Sequence, residues 1–428
     1  MEHRVSDINK VLLIFFIPRE NRYSFNALLG AIEGDFDIKR LNISLVSEES
    51  GLYREISHHI PYYRNIYIFF SFFTTQITRI RDIISSLRKT YSKKIFLIAG
   101  GAHPTGDPEG TLSLGFDMVV KGEGELTIIE LIRAILQGRD IRSVKGIFYK
   151  DAKDIIFTGS EEGVVLDRFK PFSTTLKRFG PIEITRGCPW GCFYCQTPRL
   201  FKTPIKHRSL ESILEAVDIL LKHNLGDIRF ITPNALCYGS PDGRYVEIEK
   251  IETLLYSIRK KINQKGRIFF GSFPSEVRPE HITDETIKIL KEYTDNKNLV
   301  IGAQSGSERV LQLCHRGHTV DDVYNAVALS AKAGFIPNVD FIFGLPGETD
   351  EDVLMTERVI NDLVKMGARI HAHTFMPLPQ TPFASSPPGS ISPVLRKTIN
   401  RLINRGVIFG DWQKQEKLAS EIYNYLHS

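Results

Sequence analysis

Three of the chain's five cysteines fall within eight residues, in Cys188-Pro-Trp-Gly-Cys192-Phe-Tyr-Cys195. Gly187, Pro189 and Gly191 let such a loop bend around one metal centre. Soft thiolates select zinc, copper(I) or iron–sulfur clusters. A structural zinc is usually closed by a fourth Cys or His at short spacing. The nearest downstream candidate, His207, stands at the start of the next helical pattern, and Cys237 and Cys314 occur singly. Three ligands without a fourth favour a cubane cluster with one open iron. Cys237 is a candidate cavity thiol, set against the commoner fate of a free cysteine as a small buried filler.

The elements that must position this loop alternate in strand and helix patterns. Residues 11–17, 36–41, 66–71, 95–99 and 117–120 read as five strands, with helices over 23–33, 76–89 and 125–136 between and after them. Continuous apolar runs of this kind mark strands buried on both faces. The arrangement predicts an α/β, flavodoxin-like (Rossmann-like) doubly wound domain over residues 1–140, with ligands at the carboxyl ends of its strands. Residues 146–150 and 154–158 read as a hairpin within a connecting segment, 141–179. From residue 180 six further strand patterns (182–185, 228–232, 268–272, 299–303, 337–343, 370–375) alternate with helices. They predict a partial (β/α)6 TIM-like barrel over 180–384, its chemistry at the carboxyl ends of the strands. Residues 385–428 are expected to form a short helical tail.

Composition bounds the remaining choices. The 428 residues are 42% hydrophobic and 25% charged, a globular balance that excludes a disordered chain. The longest apolar runs fall short of the ~20 residues of a membrane helix. The first, near the N-terminus, lacks the cleavage site of a signal peptide. A soluble cytoplasmic protein without a membrane partner is the expectation. The excess of 55 Lys and Arg over 50 Asp and Glu is small. The basic C-terminal stretch (Arg396, Lys397, Arg401, Arg405) reads as a solvated helix face, so nucleic acid is not indicated.

The cysteine motif, with Tyr194 before its last member, resembles the cluster motif of the radical S-adenosylmethionine (SAM) superfamily. Ile301-Gly-Ala-Gln304-Ser305-Gly-Ser-Glu308-Arg309, followed by Arg316-Gly-His, is similar to the fourth-strand segment of Elp3-like radical SAM domains. Asp340-Phe-Ile-Phe-Gly344-Leu-Pro-Gly-Glu348-Thr is similar to their fifth-strand segment, and Met376-Pro-Leu-Pro-Gln380-Thr-Pro382 to the one that ends the barrel. The resemblance implies a four-iron four-sulfur (4Fe-4S) cluster on Cys188, Cys192 and Cys195. It also implies SAM contacts at Tyr194, Asn234, Gln304, Ser305, Arg316 and Gly344. Asn234 stands where many members carry an acidic residue.

The order of elements in the first 140 residues resembles the cobalamin-binding domain that precedes such barrels in one subgroup. Contacts would then fall on Ser71, Gly100, Gly101, His103, Gly122 and Glu123. The loop after the first strand reads Ile17-Pro-Arg-Glu-Asn-Arg22 and has no histidine, so cobalamin would lack a histidine lower ligand. The activity implied is reductive cleavage of SAM to a 5′-deoxyadenosyl radical and cobalamin-dependent methylation of an unactivated carbon. A reductant such as ferredoxin or flavodoxin would serve it in a reducing cytoplasm. The alternatives are a cobalamin-independent radical SAM enzyme, for sulfur insertion or rearrangement, and a non-enzymatic corrinoid or metal-binding module. Sulfur insertion by methylthiotransferases uses three further cysteines in an N-terminal domain, and no cysteine precedes Cys188.

Overall fold

The computed structural model describes residues 11–201 and 204–428, and the chain divides into two compact units at Gly180. In the first, β1 (Val11–Phe16), β2 (Ile43–Val46), β3 (Asn65–Ser71), β4 (Ile95–Gly100) and β5 (Met118–Val120) are parallel. They lie in the order 2-1-3-4-5, the flavodoxin-like order, whose switch point falls between β1 and β3. Every residue of β1 is buried, as its unbroken Val-Leu-Leu-Ile-Phe-Phe run requires of a central strand covered on both faces. The helices Arg22–Asp35, Ile77–Tyr91 and Glu125–Gln137 cover the sheet.

Two expectations for this unit need correction. Residues 36–41 are not the second strand: Ile38–Arg40 form a 3-10 turn, and the strand is Ile43–Val46, pinned by the Asn42 amide donating to the Val11 carbonyl at 3.1 Å. The helix Glu49–His59 was unforeseen because it buries only Leu52 and Ile56, too thin an apolar stripe to show in the sequence. The hairpin is β6 (Ile147–Asp151) with β7 (Asp154–Phe157). It continues the same sheet through an antiparallel β5–β6 pairing rather than standing apart from it.

The second unit holds β8 (Ile182–Glu183), a short antiparallel pair β9 (Thr185–Arg186) and β10 (Lys206–His207), then β11 (Asp227–Ile231) and β12 (Arg267–Phe269). β8, β11 and β12 form one parallel sheet. β13 (Asn298–Gln304), β14 (Ile336–Phe343), β15 (Arg369–Thr374) and β16 (Ile408–Phe409) form another. A parallel bridge between Val277 and Ile301 links the two. There the Val277 N–H donates to Val300 O at 2.8 Å, and the Gly302 N–H donates to Val277 O at 3.2 Å. The result is an open barrel of six main strands. Four of the helices between the strands start on side-chain caps, from Ser209, Thr283, Thr319 and Thr349, each accepting a backbone N–H of the first turn. The C-terminal stretch is more than the helical tail expected. Besides Pro393–Asn404 and Trp412–Leu426 it contributes β16, which pairs with β15 and extends the barrel sheet.

Candidate functional site

Cys188, Cys192, Tyr194, Cys195, Asn234, Gln304 and Arg316 line one cavity of about 830 Å³ in the barrel unit. The cysteine loop turns through Gly187 and Gly191, both left-handed (φ +91° and +67°). The segment after β13 holds it from outside. The Phe193 N–H donates to Cys314 O at 3.0 Å, and the Phe193 ring stacks on His315. Arg278 lies 3.7 Å over the Trp190 ring, and its guanidinium donates to Arg316 O at 2.6 Å. Gly317 leaves room for that indole: a Cβ there would come within 2.9 Å of it.

Gln304 ends β13 in a left-handed conformation (φ +74°), where the register with β14 slips after Gly302. Non-glycine residues held at such φ cost about 1–3 kcal/mol and cluster at functional sites. Gly302 is needed beside it, because a Cβ would stand 2.7 Å from the Arg316 guanidinium and 2.8 Å from the Gln304 amide. Buried Arg316 donates to Gly302 O at 2.8 Å and reaches the Cys192 sulfur at 3.8 Å. Burial alone would lower its pKa, but Tyr194, Cys192 and Glu276 outweigh it and hold the guanidinium charged.

Glu276, which the sequence reading passed over, lines the same cavity. Burial pushes its carboxyl up to about 7, against the pull of Arg316. It lies in the connection after β12, in Ser275-Glu276-Val277-Arg278, where no strand or helix pattern marks it.

Two of the thiols, Cys188 and Cys195, are held against ionisation. Burial raises the Cys188 pKa and carries that of Cys195 to about 11. A bound metal supplies the positive charge that strips such protons. Among the described residues, the three sulfurs do not converge to the spacing a single ion requires; the group that does is Asp340, His371 and His373. Around one tetrahedral zinc, sulfurs at about 2.3 Å from the metal would lie within about 4 Å of each other. Three soft thiols on one cavity wall are a donor set of the kind that iron–sulfur clusters take.

Other expected contacts are already engaged within the protein. The Ser305 hydroxyl accepts the Ser307 N–H at 3.2 Å and sits 3.4 Å from the Thr356 hydroxyl, buried behind the strand end. Gly344 packs on Ser390, whose backbone a Cβ would strike at 2.5 Å, and its N–H donates to the Glu348 carboxylate. Cys237 is buried, not a cavity thiol. Its S–H donates to Gly243 O at 3.0 Å, the Asn234 amide lies 2.9 Å from the sulfur, and burial pushes its pKa up to about 12. Asn234 lines the cavity, yet its amide is tied to Cys237 and His281 and accepts the Arg278 N–H.

In the first unit, Ser71, Gly100, Gly101 and Gly122 gather at the carboxyl ends of β3, β4 and β5. Gly101 is left-handed (φ +98°), and a Cβ would stand 2.7 Å from the Ser71 hydroxyl. Gly122 (φ +82°) faces open space. His103 turns inward instead. It is fully buried, stacks on Phe72, and lies 3.2 Å from the Thr74 hydroxyl. Burial takes its pKa down to about 4 against the opposing pull of Asp107. The Glu123 carboxylate accepts the Val164 N–H at 3.1 Å. The loop after β1 is fastened to that after β3 by a reciprocal amide pair, Asn21 with Gln76 (3.0 and 2.8 Å).

Residues 182–360 match the model of the radical SAM superfamily, and residues 62–132 that of the B12 binding domain. An uncharacterized methyltransferase of Pyrococcus horikoshii is 27% identical over 290 residues, covering 64% of this chain and 59% of the relative. The tRNA-2-methylthio-N(6)-dimethylallyladenosine synthase of a Sulfurihydrogenibium species is 30% identical over 258 residues, 59% of this chain and 56% of that one. The chain spans about three fifths of the length of such curated relatives. The solved structure of the radical SAM methyltransferase TsrM from Kitasatospora setae, which contains cobalamin and a [4Fe-4S] cluster, superposes with a TM-score of 0.67. That match covers 89% of this chain and 74% of that one at 16% identity, a likeness of fold. The chain thus carries a radical SAM domain preceded by a B12-binding domain.

Proposed function

We propose that the protein is a cobalamin-dependent radical SAM enzyme that methylates an unactivated carbon. One observation carries this reading: three thiols, Gln304 and Arg316 share one cavity in a chain whose preceding domain is of the B12-binding type. When bound, a 4Fe-4S cluster supplies the electron that breaks a sulfonium C–S bond, and a corrinoid supplies a methyl carrier. Cys188, Cys192 and Cys195 would hold the cluster. Arg316 keeps a fixed positive charge beside Cys192 and offsets thiolate charge without reorganising. Gln304, strained at the cavity wall, presents an amide able to orient the amino-acid end of SAM. Glu276, poised near neutrality, accepts or releases a proton beside it. The glycines at the ends of β4 and β5 leave backbone close to a bulky ligand, the role corrinoid binding asks of them. No helix among the described residues is long and apolar enough to cross a membrane. A reducing cytoplasm with a flavodoxin- or ferredoxin-type donor fits a cluster of this kind.

Anaerobically reconstituted protein given dithionite and SAM should release 5′-deoxyadenosine, and hydroxocobalamin should bind with a changed visible spectrum. Turnover without corrinoid binding would favour radical chemistry of another type. Absence of both would leave a metal-binding module.

A further inference from the structure

A second set of metal-ligating side chains lies in the barrel, away from the cysteine loop in sequence. Asp340, within β14, pairs in register with His371 on β15, and His373 follows two residues later. Alternate residues of a strand share a face, and this face lines the cavity. The Asp340 carboxylate is 2.9 Å from His371 Nδ1, which is 3.1 Å from His373 Nε2. All three donor atoms lie within 4.8 Å of one another. Neighbouring ligands held at about 2.1 Å from one ion are themselves about 3.0–3.4 Å apart, from octahedral to tetrahedral, so these two edges are close to those around a common cation. Hydrogen bonding alone serves them poorly, because Nδ1 of His371 has a single proton or a single lone pair for two neighbours.

The surroundings support a built site. The Phe409 ring stacks on His371 with centroids 4.6 Å apart and planes at 9°. Asn338, on the same face of β14 as Asp340, is 8% exposed and lines the cavity. Its side-chain carbonyl has no hydrogen-bond partner among the described residues.

We propose that Asp340, His371 and His373 bind a first-row divalent metal ion whose open positions face the cavity. Two imidazoles and one carboxylate on one side of an ion leave coordination sites for an exogenous donor. The ion would take an oxygen or nitrogen atom of the substrate and fix its orientation as a Lewis acid. This site stands on its own donors and does not depend on the reading of the cysteine loop.

Gln415 gives the test its edge. Binding through Nε2 leaves a proton on His373 Nδ1, which then needs an acceptor. The Gln415 carbonyl already takes the Thr374 N–H at 2.9 Å, so its NH2 group faces the imidazole at 3.2 Å. A carboxylate in its place accepts from both. Full-length, cluster-reconstituted protein would be dialysed anaerobically against Zn(II), with bound zinc counted and its ligands read by X-ray absorption. The expected result is one zinc per chain with nitrogen and oxygen ligands at about 2.0–2.1 Å and no sulfur near 2.3 Å. His371→Ala and Asp340→Asn should each weaken binding at least about tenfold, and Gln415→Glu should tighten it about tenfold. Gln415→Glu leaves the three donors in place, so its effect is readable even where a donor variant fails to fold. Zinc at background in both wild type and Gln415→Glu, a sulfur shell, or full zinc occupancy in the His371→Ala, Asp340→Asn double variant would overturn the assignment.

Discussion

The strand ends of the two units prepare for ligands by opposite means. In the barrel unit the site is made of side chains: three thiols, a charged Arg316 held between Gly302 O and Cys192, and a strained Gln304. In the B12-binding unit the ends of β4 and β5 carry glycines instead, Gly101 packed closely on Ser71 and Phe72 and Gly122 with nothing within 4 Å of a Cβ. The polar residues nearby are already engaged, His103 with Thr74 and Glu123 with Val164. A site of the first kind chooses its ligand by chemistry. A site of the second kind chooses by shape, and substitutions should reveal the difference.

The largest effect should come from Cys192→Ala. Iron and acid-labile sulfide per chain should fall to background after anaerobic reconstitution, with corrinoid retention unchanged. Simultaneous loss of corrinoid would break the contrast, because it would make the two sites one cooperative structure.

The shape-made site is probed by adding carbon. Gly101→Val drives a side chain into the Ser71 hydroxyl at a left-handed position, whereas Gly122→Ala adds a methyl where nothing lies within 4 Å. The first should lower the melting temperature by several degrees and abolish corrinoid retention. The second should weaken corrinoid binding about tenfold at a strain cost of about 1–2 kcal/mol, with iron content unchanged in both. Undiminished corrinoid binding in Gly122→Ala, read by equilibrium dialysis, would place the ligand elsewhere.

The same contrast explains what was legible in the sequence. Thiols announce themselves by type and spacing, so Cys188, Cys192 and Cys195 could be picked out before any fold was known. Gln304 and Arg316, named by resemblance as SAM contacts, lie on the cavity wall. Ser305 and Gly344, from the same segments, are not among the residues that line it. A motif does not say which residue faces inward where a bulge such as Gly302–Gln304 interrupts strand alternation. Buried β1 and β3 read clearly because their apolar runs are unbroken. The half-buried β2, the thinly apolar helix Glu49–His59 and two-residue β16 carry too little pattern to register. Asp340, His371 and His373 escaped notice for another reason: only the β14–β15 register brings them together.

Stability against pH should separate the units more gently. Burial raises Glu276 from 4.5 to about 7, so the folded state holds its proton where the unfolded state has lost it. Its stabilising contribution is complete below about pH 4.5 and is lost as pH rises to about 7. Glu348, also pushed up to about 7 by burial despite the Gly344 N–H, acts with the same sign. Glu276→Gln should flatten part of this decline and raise the melting temperature at pH 8 by a few degrees, with activity measured alongside. An unchanged slope would mean that Glu276 is ionised in the folded protein throughout.

The smallest effect is expected at Cys237, the thiol that chain position alone offers as a reactant. Reactivity belongs to the thiolate, and with a pKa of about 12 only about one molecule in ten thousand carries it at pH 8. Its S–H is committed to Gly243 O, and the Asn234 amide lies against the sulfur. Cys237→Ala should therefore cost about 1–2 kcal/mol of stability by leaving these partners unmatched, while 5′-deoxyadenosine formation stays within about twofold. Alkylation mass spectrometry on the native protein should find Cys237 unmodified. Rapid modification there, or loss of product formation without loss of cluster, would return Cys237 to the cavity and make the barrel site a four-thiol one.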